Sequence, residues 1–390
     1  MISSLRFCLR FCAVAAVVAL LGSTTPQGVV IAQQYRLTAP PSGNNQHAIV
    51  TQYIGIVRVT IDYSSPNVTS PAGEDRTGKI WGQLVPYGMP KSDFGLYEPM
   101  PWRGGANEGT TIEFSHDVVL EGKPIAAGKY GIHFIPDAQE WTLILSKNSW
   151  QWGSYFYRES EDALRVKVKP AKNEFRQWLT YEFLERKPSS ALCAMMWENL
   201  RVPFKIEVPN INDYYVAQMR KELQGEIGFS WESWQQAAAF CLQNNTNLEE
   251  GLRWADYSIS APFLGEKNFR TLSTKSGLLA KLGKQSAADS VMNIAISLPS
   301  ATMMDLHNHA RSLQAQGRKQ EAMKVFELNA QRNPKDWVPQ WGLARGYSAL
   351  GEYSKALKAA EKALTLNPDE GNKNNIQKGI EKLKADKDVN

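Results

Sequence analysis

The sequence predicts two domains of unlike architecture, an antiparallel β-sandwich followed by an all-α solenoid of stacked helical hairpins. Three observations lead there. Through the first half, apolar residues alternate with polar ones at a period of two, the mark of half-buried strands. At Pro209 the period lengthens to that of a helix, and Ala, Gln, Lys and Leu become frequent. The second half then repeats itself: Gly283, Gly317 and Gly351 are spaced by 34 residues, each followed five residues on by Ala288, Ala322 or Ala356.

With 390 residues, each half is long enough to bury its own core. Residues 1–32 read as a removed export signal: Arg6 and Arg10 precede an apolar run from Phe11 to Leu21, which leads to the small-residue end Val30-Ile31-Ala32. That run is too short for a helix that needs about 20 residues to cross a bilayer, so no membrane span is expected after removal. The expected location is the periplasm or the exterior, with association to the envelope. Without Arg6 and Arg10, the 44 basic residues fall to 42 against 39 acidic, a net +3. This weak charge, with no basic run interleaved with aromatics, excludes nucleic acid as a partner. Cys8 and Cys12 leave with the signal, and Cys193 and Cys241 read as buried free thiols in different domains.

In residues 33–208 the first clear strand carries Val57, Val59, Ile61 and Tyr63 against Arg58, Thr60 and Asp62. The alternation recurs at Tyr130, Ile132 and Phe134, at Trp141, Leu143 and Leu145, at Leu179, Tyr181 and Phe183, and at Val202, Phe204, Ile206 and Val208. With Val118 to Leu120, Val166 to Val168 and Ala191 to Trp197, eight or nine short strands result, and no amphipathic helix lies among them. This pattern favours a sandwich over a closed barrel. In order along the chain come Tyr63-Ser64-Ser65-Pro66-Asn67-Val68, Leu84-Val85-Pro86-Tyr87-Gly88, Trp102-Arg103 with Gly105-Ala106-Asn107-Glu108, and Ala127-Gly128-Lys129-Tyr130. Over about residues 50–208 these resemble the successive signatures of a bacterial, mostly exported domain family of unknown function. The resemblance implies an exported β domain and carries over no established activity. The segments Thr69 to Gly78 and Met89 to Pro101 are long insertions relative to short members of that family.

The stretch Pro101 to Thr111 is the most site-like of the first half, with Arg103, Asn107 and Glu108 set among three glycines. Arg103, Asn107 and Glu108 are the candidate clamp for an anionic or sugar-like ligand, with Tyr63, His116 and His133 as further candidate ligand-binding residues. The plainer expectation is that Arg103 and Glu108 pair with each other to fix the loop. His116, His133 and Glu108 form a metal or acid/base group only if the fold converges them. None has metal-ligand spacing, so no metal and no cofactor are expected. Trp150, Trp152, Tyr155, Phe156 and Tyr157 suit glycan stacking, but the first expectation is a buried aromatic plug. Ser64, Ser65 and Ser115 lie in no nucleophile elbow, so no catalytic residue is assigned.

In residues 209–390, Leu343, Ala344, Tyr347, Gly351, Tyr353, Ala356, Ala363 and Pro368 resemble the tetratricopeptide consensus. An earlier copy keeps Ala310, Leu313, Gly317, Ala322, Phe326 and Pro334, with Lys319 in place of Tyr353. Leu279, Gly283, Ala288, Met292 and Ala295 mark a third, and Trp231 to Ile259, with small Gly251, a degenerate fourth. Ile376, Ile380 and Leu383 form the apolar stripe of a capping helix. His307 and His309, two apart, read as packing or solvent residues. Stacked hairpins of this kind expose a concave face suited to extended or helical polypeptide. The expected function is therefore an exported binding or scaffolding protein of the bacterial cell envelope, engaging protein or peptide through the repeats. The alternatives are a glycan-binding protein, or an envelope hydrolase with Glu108 as acid/base, Arg103 as clamp and His116 or His133 assisting.

Overall fold

The computed structural model describes residues 44–390. The expected export signal, residues 1–32, lies outside the described residues.

The first half is two antiparallel sheets around one core. The strands are β1 (Gln46–Ile54), β2 (Val57–Ser65), β3 (Ala106–Phe114), β4 (Val118–Leu120), β5 (Lys123–Ile125), β6 (Gly128–Ile135), β7 (Trp141–Ser146), β8 (Asp162–Val168), β9 (Ala171–Lys187) and β10 (Ser190–Glu207). One sheet has the order β1-β2-β3-β6-β7-β8 and the other β5-β4-β10-β9. The alternation explains the layering. Val59, Ile61, Ile112, Ile132 and Phe134 from the first sheet meet Leu120, Cys193, Met195, Phe204 and Ile206 from the second, all at most 1% exposed.

Two features depart from the sequence-based expectation. The short strands expected at 191–197 and 202–208 are one strand, β10, of 18 residues, paired with the 17-residue β9. The interruption between them is a bulge at Glu198, whose φ of 53° lets the ladder slip and continue. Strand β1, at Gln46–Ile54, has no counterpart among the expected strands.

Between β2 and β3 the chain makes a long connection with no named strand, sewn onto both sheets. Val68 N donates to Gln177 O at 2.8 Å, Gly88 N to Pro136 O at 2.8 Å, and Trp102 exchanges a backbone pair with Phe134 at 2.8 and 2.7 Å. Long irregular connections held this firmly are a common source of binding surfaces.

The second half is helical: α1 (Ile211–Glu222), α2 (Trp231–Gln243), α3 (Leu248–Ser260), α4 (Phe269–Lys281), α5 (Gln285–Ser297), α6 (Met303–Ala315), α7 (Lys319–Arg332), α8 (Trp337–Ala349), α9 (Tyr353–Thr365) and α10 (Glu370–Lys384). Four hairpins, α2/α3 to α8/α9, follow one another. Gly283, Gly317 and Gly351 take φ of 75°, 78° and 78° and close the first helix of three of them. In each, the glycine N–H and the next N–H reach back to free helix carbonyls, as Gly351 N does to Ser348 O (3.0 Å) and Glu352 N to Tyr347 O (2.9 Å). Ala288, Ala322 and Ala356, at 1%, 0% and 0% exposure, sit where the paired helices touch. A side chain on Gly251 would put Cβ 2.6 Å from Cys241 Cβ, so glycine sets how closely α3 approaches α2. Ile376, Ile380 and Leu383 of α10 are buried against the last hairpin. Cys193 and Cys241 are free and buried. Among the described residues no helix is long and apolar enough to cross a membrane.

Candidate functional site

Arg103 follows Trp102, whose backbone pairing with Phe134 carries it against β6. Its Nη1 donates to Asn107 O at 3.2 Å, and its guanidinium lies 5.5 Å from the Trp152 ring centroid. Gly153 makes room for it, since a Cβ there would stand 2.5 Å from Nη1. Burial lowers the Arg103 pKa, partly offset by Tyr155 and Glu108. Asn107, in the left-handed region at φ 54°, accepts from Asn45 Nδ2 at 3.1 Å. Glu108 is exposed and accepts from Ser64 Oγ at 3.2 Å. The expected Arg103–Glu108 ion pair is not among those of the described residues, because Glu108, on β3, turns to β2 while Arg103 tucks under Trp152.

The remaining candidates do not join them. Tyr63 is a core residue, 6% exposed, whose ring meets Tyr181 edge-on at 4.9 Å and whose oxygen accepts from Tyr181 N at 3.3 Å. His133 is sealed at 1% exposure with Nδ1 2.9 Å from Ser154 Oγ and Nε2 3.2 Å from the Gln151 amide. Burial, with Arg103 nearby, pushes its pKa down to about 3, so the ring is neutral. His116 follows the far end of β3 and packs on Tyr214 of α1, centroids 4.7 Å apart. A nine-residue strand spans roughly 30 Å, so His116 and Glu108 cannot share a reacting centre. Among the described residues no group of three His, Cys, Asp or Glu is placed to hold a metal. The acid/base constellation of the hydrolase alternative is therefore not assembled.

The aromatic stretch is not the expected plug. Tyr157 is buried, but Trp150, Trp152 and Phe156 are 93%, 52% and 45% exposed. Trp152 and Tyr155 stack on each other at 6.0 Å and 12° instead of offering one flat platform.

What the connection builds instead is a cleft of about 340 Å³, within the usual range for small-molecule sites. Its wall takes Pro66 from one signature segment, Leu84, Val85, Pro86 and Gly88 from the next, and Trp102, Arg103, Gly105 and Ala106 from a third, with Thr69 and Arg76 from the insertion and Trp197. Of the sequence candidates only Arg103 is in that wall. Behind it Trp81 meets Trp102, Trp141 and Trp197 at 5.7, 5.2 and 5.7 Å. The indole N–H groups of Trp81 and Trp197 are buried without a partner, each costing about 1–3 kcal/mol. Arg76 and Trp197 were missed because neither lies in the glycine-rich stretch. Arg76 lies in the insertion Thr69 to Gly78 and Trp197 ends the alternating run 191–197, and only the fold brings the two to one wall.

In the helical half, part of the surface of α8, in the last hairpin, is covered by the chain itself. After α10 the chain turns back, and Asp388–Asn390 lie on α8. Ser348 Oγ donates to Asp388 Oδ1 at 2.6 Å, Val389 N donates to Ser348 Oγ at 3.0 Å, and Asn390 Nδ2 donates to Arg345 O at 3.1 Å. Val389 is 8% exposed, in the same apolar cluster as Trp341. Arg345 lies over the Trp341 ring at 5.2 Å, and burial, with Arg311 nearby, lowers its pKa to about 10, Asp388 opposing. His307 packs against Phe326, as a structural residue.

Residues 45–206 match the model of a family described as a protein of unknown function (DUF2911), and residues 340–370 match a tetratricopeptide repeat. No curated protein matches the chain. Solved structures similar to it include YrrB, a TPR protein with an unusual peptide-binding site, at 17% identity over 43% of this chain and 84% of that one, TM-score 0.31. MamA is similar at 13% identity over 40% and 88%, TM-score 0.31, and the MamA 41-end fragment from Desulfovibrio magneticus RS-1 at 20% over 42% and 92%, TM-score 0.28. The chain thus matches the DUF2911 family, of unknown function, over residues 45–206, and follows this with stacked helical hairpins that include a match to a tetratricopeptide repeat at 340–370.

Proposed function

We propose that this protein is a binding or scaffolding component exported to the bacterial cell envelope, and that it engages polypeptide through its helical hairpins. The observation behind this reading is the hold that α8 has on Asp388–Asn390. The segment is held at its Asp388 carboxylate, its buried Val389 side chain and its Asn390 amide, as a bound peptide would be. An incoming polypeptide of acidic and apolar character displaces that segment. A labelled peptide of residues 381–390 is expected to bind a variant ending at Ala385 and to bind the intact chain at least about tenfold more weakly, which corresponds to about 1.4 kcal/mol. If the shortened protein keeps its helical spectrum and binds no peptide, the reading fails.

A second reading, glycan binding by the β domain, is favoured by the exposure of Trp150, Trp152 and Phe156. Retention on immobilised envelope polysaccharide that drops on Trp150→Ala supports it, and retention unchanged by that substitution removes it.

A further inference from the structure

We propose that the cleft walled by Arg76, Trp102, Arg103 and Trp197 binds a small organic anion, a carboxylate carried on a flat apolar body. Four observations meet there. Arg76 is anchored by neutral carbonyls, Nε to Val68 O at 3.1 Å and Nη2 to Asn67 O at 2.7 Å, and no ion pair among the described residues neutralises it. Its Nη1 edge is left as a fixed donor, and a planar guanidinium edge matches a carboxylate. Arg103 adds a second cation, likewise without an ion pair among the described residues, and its Nε is buried with no partner. Among the described residues the wall contains no Asp or Glu, so nothing there competes for either cation.

Trp197 supplies the third observation. Its ring is 1% exposed and forms part of the wall, yet its indole N–H has no acceptor. A donor buried at such a cost in the wall that also holds two cations is complementary to a ligand oxygen. The fourth is the apolar remainder of the wall: Pro66, Pro71, Leu84, Pro86 and Met100, closed on one side by Trp102, which stacks with Trp197 at 6.3 Å and 17°. Prolines and indoles present rigid flat faces that a ring or short chain covers with little loss of conformational freedom. The apolar remainder of the wall favours a carboxylate on a flat apolar body over inorganic phosphate, which has no apolar part to lay on the prolines and indoles.

The test uses the full chain labelled with ¹⁵N at its tryptophans, with the Trp197 indole signal assigned by its loss in Trp197→Phe. Benzoate, phenylacetate and hexanoate are titrated alongside the neutral amide of phenylacetate and inorganic phosphate. The expected result is a saturable shift of the Trp197 N–H with at least one of the three carboxylates. Affinity should fall at least about tenfold for the amide and about tenfold in Arg76→Gln, with the folded spectrum of that variant unchanged. Three outcomes overturn the proposal: no saturable shift with any carboxylate, equal binding of the amide, or displacement of phenylacetate by an equal concentration of phosphate.

Discussion

Phe326→Ala is expected to cost about 3–5 kcal/mol of the stability of the helical half, the usual loss when a buried aromatic is truncated. The ring is completely buried and lies against α8 over Gly342 and Gly346. A Cβ on Gly342 would stand 2.7 Å from its Cδ1, and one on Gly346 3.1 Å from its Cδ2. Two glycines four residues apart on one helix cost roughly 1 kcal/mol each relative to alanine. They are retained because they let α8 close onto the Phe326 ring, also faced by His307 at 5.7 Å. Alanine at 326 leaves a void that neither glycine can fill, so the seam between the third and fourth hairpins opens. Urea unfolding followed by the far-ultraviolet helical signal measures it, and a loss below about 1 kcal/mol would show that this seam does not join the hairpins.

Acid is expected to destabilise the protein between pH 6.5 and about 4, with His133 and His307 the largest contributors among the histidines and half-buried His309 shifted in the same direction. In the fold, burial and the Arg103 charge hold the His133 pKa at about 3, and burial with Arg311 and Arg345 holds that of His307 at about 4. In the unfolded chain both sit near 6.5, so over this window the unfolded state binds protons that the folded state does not. Stability is therefore full above pH 6.5 and falls as the pH drops, by about 1.4 kcal/mol per unit for each group, or about 2 kcal/mol each by pH 5. Denaturation curves of His133→Gln and His307→Gln at pH 7 and pH 5 should each lose roughly one proton's worth of this slope. An unaltered slope in His133→Gln would mean that its ring is protonated within the fold, contrary to its burial between Ser154 and Gln151.

How far the sequence reaches depends on the range of the interaction that fixes each feature. The glycines at 283, 317 and 351 were legible because a helix stop is local: residues within one turn supply its carbonyls and donors. The buried sets beginning at Val57, Tyr130 and Trp141 were legible because alternation records which face meets the core. The joining of 191–197 and 202–208 into β10 was not, since the slip at Glu198 depends on β9 opposite. Nor was the partner of Arg103. Glu108 is near in sequence and opposite in charge, but the guanidinium finds the Asn107 carbonyl and the Trp152 face because Gly153, brought in from a distant loop, leaves space there. Gly342 and Gly346 read as flaws in α8 until Phe326 is placed over them.

By itself the sequence determined the order of the two architectures, the number of helical hairpins and the residues that turn and cap them, because periodicity and turn chemistry are written in neighbouring residues. The tertiary structure alone decided that Tyr63 and His133 are sealed in the core, that Glu108 and His116 lie toward opposite ends of β3, that Arg76 and Trp197 share a cleft with Arg103, and that Asp388–Asn390 lie on α8. Those outcomes depend on which distant segments come within a few ångströms of one another, and residue spacing along the chain carries no record of that.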